Sequence, residues 1–217
     1  MVSLLAKGST GERWLAAEAL GEGDPGRSGV TALAAALGSD DPILRSEAGN
    51  ALARIGGRTV RGALLESAAA DNPNAQAAAA DALGKLPADE AVVTVLQAML
   101  DGPNAVVRQS AAEALARAGW PPRKPSEPRP DPTPRLLGLL AEDPGPMVRR
   151  AAALALGRLG DPAAEEALVA CQEDRAEDWR VREAAALAVS RLHQSQAPDR
   201  IENETEEPAT TPAVGEQ

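Results

Sequence analysis

The 217-residue chain reads as an all-α solenoid of about six two-helix repeats, and three observations carry that reading. The first is one helix written six times: a basic or polar anchor residue, then Ala three and six residues on, then Leu or Val at seven. The copies start at Arg13 (Ala16, Ala19, Leu20), Arg45 (Ala48, Ala51, Leu52), Gln76 (Ala79, Ala82, Leu83), Arg108 (Ala111, Ala114, Leu115), Arg149 (Ala152, Ala155, Leu156) and Arg182 (Ala185, Ala188, Val189). The second is the spacing of those anchors, 32, 31, 32, 41 and 33 residues, a period typical of stacked helical units. The third is a shorter apolar segment before each anchor helix, joined to it by a turn rich in Gly, Asp, Asn and Pro. Such units stack into one elongated body without a central core.

Unit one has only Ser3 to Lys7 for its first helix, so apolar surface near Leu4, Leu5 and Leu15 lacks a polar cap, and self-association or a late start of the chain both remain open. In unit two, Val30 to Leu37 is the first helix and Ile43 to Ile55 the anchor helix. Asp40 or Asp41 is placed to cap the latter, and Pro42 suits its first turn, where a missing N–H costs nothing. The grammar repeats: Thr59 to Ala70 precedes Asp71-Asn72-Pro73, Asp89 to Leu100 precedes Asp101-Gly102-Pro103, Arg135 to Ala141 precedes Glu142-Asp143-Pro144, and Ala163 to Gln172 precedes Glu173 to Asp178. Between units four and five, residues 120–134 carry Pro at 121, 122, 125, 128, 130, 132 and 134, a density that favours an extended insertion over a helix. That insertion is either a docking arm or a tolerated surface loop. The solenoid is expected over residues 1–193, and residues 194–217, acidic and without apolar periodicity, are expected to be a disordered tail.

Composition excludes several classes of function. Phe and Tyr are absent and the aromatics are Trp14, Trp120 and Trp179, so Ala, Leu and Val must fill the interior and the helices must approach closely. A net charge of −10 with no stacking platform argues against nucleic acid as a partner. Cys171 stands alone, so there is no disulfide framework, and a buried structural thiol is the expectation for it. No apolar run reaches the ~20 residues that span a bilayer or resembles a signal peptide, which predicts no membrane partner and a cytoplasmic location. The single His193 ends the last helix, with no second His to build a metal site and no phosphate-cradling glycine motif anywhere; no enzyme activity, cofactor or metal is expected.

The Val-Arg pairs Val107-Arg108, Val148-Arg149 and Val181-Arg182, the Ala-rich runs after them, and the steps Leu20-Gly21, Leu83-Gly84 and Leu156-Gly157 resemble the HEAT repeat, in the compact bacterial form also seen in phycobilisome lyase HEAT-like proteins. Tetratricopeptide and ankyrin patterns lack their aromatic and Thr-Pro-Leu-His positions. The resemblance covers roughly residues 3 to 193 and implies a right-handed α/α superhelix of HEAT/armadillo type whose second helices line a concave surface. It also implies a choice of functions. A protein-protein interaction scaffold is the first; a lyase-like or chaperone subunit acting on a chromophore-bearing protein is the alternative, although the groove offers no His, Tyr or Cys at matched positions. HEAT-repeat deoxyhypusine hydroxylases hold iron through His-Glu pairs, and this chain has none.

At 100° per residue, the positions one, five and eight after each anchor point away from the apolar stripe. The first column is Trp14, Ser46, Ala77, Gln109, Arg150 and Glu183; the fifth is Glu18, Asn50, Asp81, Glu113, Leu154 and Leu187; the eighth is small throughout. Nine after the anchor stand Glu22, Arg54, Lys85, Arg117, Arg158 and Arg191. Asp81 with Lys85 and Glu113 with Arg117 form acid-before-base pairs, whereas Leu154 and Leu187 leave Arg158 and Arg191 without an acid. A protein or peptide partner is therefore expected at Leu154, Leu187, Arg150, Arg158 and Arg191, with Trp14 heading the first column; the chain's own tail is one candidate occupant. The anchor arginines are read as structural, bridging to turn acids such as Asp41 and Asp178.

Overall fold

The computed structural model describes residues 1–118 and 130–196. Among them are twelve α-helices, one short 3-10 turn and no strand. They pair into six units: α1 (Val2–Lys7) with α2 (Thr10–Glu22), α3 (Gly26–Ala36) with α4 (Pro42–Ile55), α5 (Gly57–Ala68) with α6 (Pro73–Leu83), α7 (Glu90–Leu100) with α8 (Ala105–Arg117), α9 (Thr133–Glu142) with α10 (Pro146–Leu159), and α11 (Glu165–Glu173) with α12 (Trp179–Gln196). The 3-10 turn, Pro162–Ala164, leads into α11.

Helix starts follow the local chemistry of the turns. Asp41, Asn72 and Asn104 each accept hydrogen bonds from two backbone N–H groups of α4, α6 and α8, and proline occupies the first turn of α4, α6 and α10. Two boundaries differ from the sequence expectation. Helix α9 begins at Thr133, inside the span assigned to the insertion, because Pro134 sits in a first turn where its absent N–H costs nothing and the Thr133 hydroxyl donates to Asp161 at 3.2 Å. Helix α12 runs on to Gln196, past the expected edge of the tail, and the Ser195 hydroxyl bonds to the Leu192 carbonyl. Residues 119–129, which include most of the insertion, and 197–217, the rest of the tail, lie outside the described residues.

Each unit buries the predicted stripe. Ala48, Ala51 and Leu52 of α4 and their counterparts Ala152, Ala155 and Leu156 of α10 are fully enclosed, as are Leu33, Leu64, Leu96, Leu136 and Leu168 of the first helices. The second helices of successive units pack together more closely than the first helices do. A two-layer stack with one layer tighter than the other must curve toward the tight layer, which places the second helices on the inside of the superhelix. The glycines of the eighth column explain the tightness. Gly21, Gly84 and Gly157 are buried rather than facing the groove, and a Cβ built on them would lie 2.8, 2.7 and 2.5 Å from the Cα of Ala51, Ala114 and Ala188 in the next unit.

Candidate functional site

The anchor arginines are structural, although not through the acids expected for all of them. Arg45, Arg108 and Arg149 reach back to the turn carbonyls of Ser39, Gly102 and Asp143, and Arg13 and Arg182 reach the carbonyls of Leu5 and Gln172. In two units the same guanidinium also reaches forward. Arg108 donates to Asp143 at 2.6 Å and Arg149 to Glu177 at 2.6 and 2.7 Å, each acid lying in the turn of the following unit. Asp178, named as a partner, instead caps α12 and pairs loosely with Arg180. Asp41 accepts the Trp14 indole N–H at 2.7 Å, the main reason its pKa lies below the usual carboxylate value.

On the inner face the polar columns are joined into a ladder. Lys85, in the turn just after α6, donates to Asp81 of that helix at 2.7 Å and to Asn50 of unit two at 3.0 Å; Arg117 reaches Asp81 at 2.7 Å and Glu113 at 3.7 Å. The ladder therefore holds together units two, three and four, with each cation shared between its own unit and the one before. It stops at unit five, where the fifth column turns to leucine. Arg150, Arg158 and Arg191 make no hydrogen bond or ion pair among the described residues. They line, with Leu154, Ala116, Glu113 and Arg117, a concavity of about 320 Å³ between α8, α10 and α12. Leu154 is half-buried against the core, and Leu187, one unit on, is 51% exposed.

The structure thus brings Arg150, Leu154, Arg158 and Arg191 to one place, with Leu187 next along the same column. Trp14 is not part of it. It is held by Asp41 at the far end of the array and lines a separate concavity of about 450 Å³ with Leu15, Ile43, Glu18 and Glu47.

A column missed by the sequence reading adds to the inner face. Two residues before the anchor, Ile43, Val106 and Met147 are exposed in the first turns of α4, α8 and α10. Trp179, 61% exposed, begins α12 with the Arg180 guanidinium 4.9 Å from its ring. The same angular count that gave the other columns would have found it, since minus two and plus nine lie within ~30° on a helix.

Elsewhere the chemistry is sparse. Cys171 lies in a concavity of about 310 Å³ on the outer layer, between α9 and α11, where burial and the nearby Glu177 charge raise its pKa. His193 pairs with Glu165 across α11 and α12 at 2.8 Å. No group of three His, Cys, Asp or Glu side chains suited to a metal occurs among the described residues, and no described helix is long and apolar enough to cross a membrane.

The fold has counterparts among solved structures. An engineered protein from the Northeast Structural Genomics Consortium superposes with a TM-score of 0.54 at 23% identity, covering 89% of this chain and 97% of its own. A designed armadillo repeat protein in complex with the peptide (KR)4 superposes at 0.53 with 16% identity, covering 88% and 97%. The CpcE–CpcF complex of phycocyanin lyase from Nostoc sp. matches more loosely, at 0.41 with 22% identity over 90% of this chain and 86% of that one. Among the curated proteins none matches the chain. The model for HEAT repeats, in contrast, matches residues 30–116 and 133–203, leaving out 1–29, 117–132 and 204–217, and with the paired helices, the capped turns and the arginine brackets it shows that the chain belongs to the HEAT-repeat family.

Proposed function

We propose that the protein is a non-enzymatic scaffold that captures an acidic segment of another protein on its inner face, at units five and six. The observation that supports this is the contrast within one surface: Lys85 and Arg117 of units three and four are paired, and Arg54 of unit two shares its concavity with Glu18 and Glu47, whereas Arg150, Arg158 and Arg191 stand unpaired beside Leu154 and Leu187. Three guanidiniums offer forked donors to carboxylates, and the leucines offer apolar area to the residues between them. Covering the exposed half of Leu187 and the remainder of Leu154 contributes on the order of 2 kcal/mol, too little for tight binding by itself. Specificity then rests on the arginines, and affinity must fall with salt. The peptide held by the designed armadillo protein is basic; here the charge of the site calls for the opposite.

The test is fluorescence anisotropy with a labelled peptide of alternating Glu and Leu against the full chain. Binding that weakens at least about tenfold in Arg158→Glu/Arg191→Glu, with the thermal melt unchanged, supports the site. Equal binding by the variant, or equal binding of a Lys/Leu peptide, overturns it.

A further inference from the structure

We infer that this inner-face site is regulated by the chain's own acidic C-terminal segment, Glu202 to Glu207, docking in cis; the inference rests on the reading of the site just given. Charge complementarity is the first support. Residues 197–217 carry Asp199, Glu202, Glu204, Glu206, Glu207 and Glu216 against the single base Arg200, and the unpaired arginines are the surface of opposite sign nearest to where that segment begins.

Position is the second. Arg191 lies five residues before Gln196, the last residue of α12, and Arg158, nine after its anchor as Arg191 is, lies in the last turn of α10. The segment thus leaves the solenoid at the same end of the helices as the basic column, about 8 Å along the axis from Arg191 at 1.5 Å per residue. An extended chain puts Glu202, Glu204 and Glu206 on one side at intervals of about 7 Å, and packed helices stand about 8–10 Å apart. Long arginine side chains close that difference, so one carboxylate can meet Arg191 while another meets Arg158.

Tethering sets the strength required. A short connection gives an effective concentration on the order of millimolar. A segment that binds in trans with a Kd of about 100 μM would then be docked some nine-tenths of the time and weaken any competing partner about tenfold. Weak contacts suffice for a switch of useful size.

The experiment uses the full chain and glutamyl endopeptidase, which cuts after exposed Glu. Cleavage after Glu202, Glu204, Glu206 and Glu207 should be at least several-fold slower in the wild type than in Arg158→Glu/Arg191→Glu. Rates independent of protein concentration separate docking in cis from exchange between copies; a concentration-dependent protection overturns the cis arrangement. Equal cleavage rates in wild type and variant overturn docking altogether. Should the charge-reversed chain fail to fold, the variant Glu202→Gln/Glu204→Gln/Glu206→Gln/Glu207→Gln serves instead. It should bind the Glu/Leu probe about tenfold more tightly than the wild type, and unchanged affinity would sink the inference. Probe binding that is present yet identical in both chains leaves the site standing and removes only the tail, so the two failures are distinguishable.

Discussion

Asp143 is the most consequential polar side chain in the array. It is 6% exposed, receives Arg108 through two nitrogens at 2.6 and 3.2 Å, and accepts the Gly145 N–H at 2.8 Å. Burial pushes its pKa up, but the Arg108 hydrogen bonds, the Gly145 N–H and the charges of Arg108 and Arg149 outweigh that and hold it below the ordinary value. The Arg149 hydrogen bonds likewise lower Glu177, against a smaller opposing effect of burial. A carboxyl with a depressed folded pKa contributes stability that is complete above its unfolded pKa of about 4 and is lost as pH falls through the folded value. Thermal melts should therefore be flat from neutral pH down to about 5 and fall steeply below about 4. Asp143→Ala leaves Arg108 with two carbonyls and no counter-charge, and should cost about 3 kcal/mol in urea unfolding at neutral pH. A loss below ~1 kcal/mol would show that the carbonyls alone hold the guanidinium. That the anchors are structural was legible from their periodicity. Their partners were not, because the forward reach to Asp143 and Glu177 spans 35 and 28 residues, and the turn between units, not the spacing of anchors, decides which acid it finds.

For paired helices the decisive contact is glycine against alanine. Seen only as a column of small residues, Gly21, Gly84 and Gly157 were placed on the exposed side with their neighbours; what buries them is the next unit, and no count within one helix reveals how closely the following one will sit. The consequence is testable with two alanines. Ala is the better helix former by about 1 kcal/mol, so Gly138→Ala in α9, where a Cβ meets nothing within 4 Å, should stabilise by ~0.5–1 kcal/mol. Gly157→Ala receives the same propensity gain but drives its Cβ to 2.5 Å from the Ala188 Cα, backbone that moves only with the whole of α12. Overpacking of that kind costs ~1–3 kcal/mol, and chemical denaturation should show a net loss. A gain at both positions would mean that the α10–α12 contact is looser than the structure has it. The candidate site depends on that contact, since Arg158 and Arg191 converge only if the two helices stay close.

Taken as a whole, the array has no shared centre, so stability should vary along it. Interior units are held from both sides; unit one is stacked on one side only, and its first helix is six residues long with Leu5 as its single buried residue. Leu4 and Leu15 stay 42% and 66% exposed there. In a linear stack the end unit opens at a cost set by its own small interface, without unfolding the remainder. Native-state hydrogen exchange should therefore find the amides of α1 and α2 exchanging well before those of α8 and α10, with protection rising toward the middle. Two truncations separate local from global stability. Leu5→Ala should accelerate exchange in α1 and α2 alone, leaving the main unfolding transition near its wild-type midpoint. Leu115→Ala, at a site 1% exposed in α8 between units three and five, should remove ~2–5 kcal/mol from that main transition, because both neighbours pack on the unit it weakens. Equal effects of the two on the main transition would mean that the six units unfold as one cooperative body. The C-terminal units and the distant N-terminal unit would then share one stability, and a change at either end would be felt at the other.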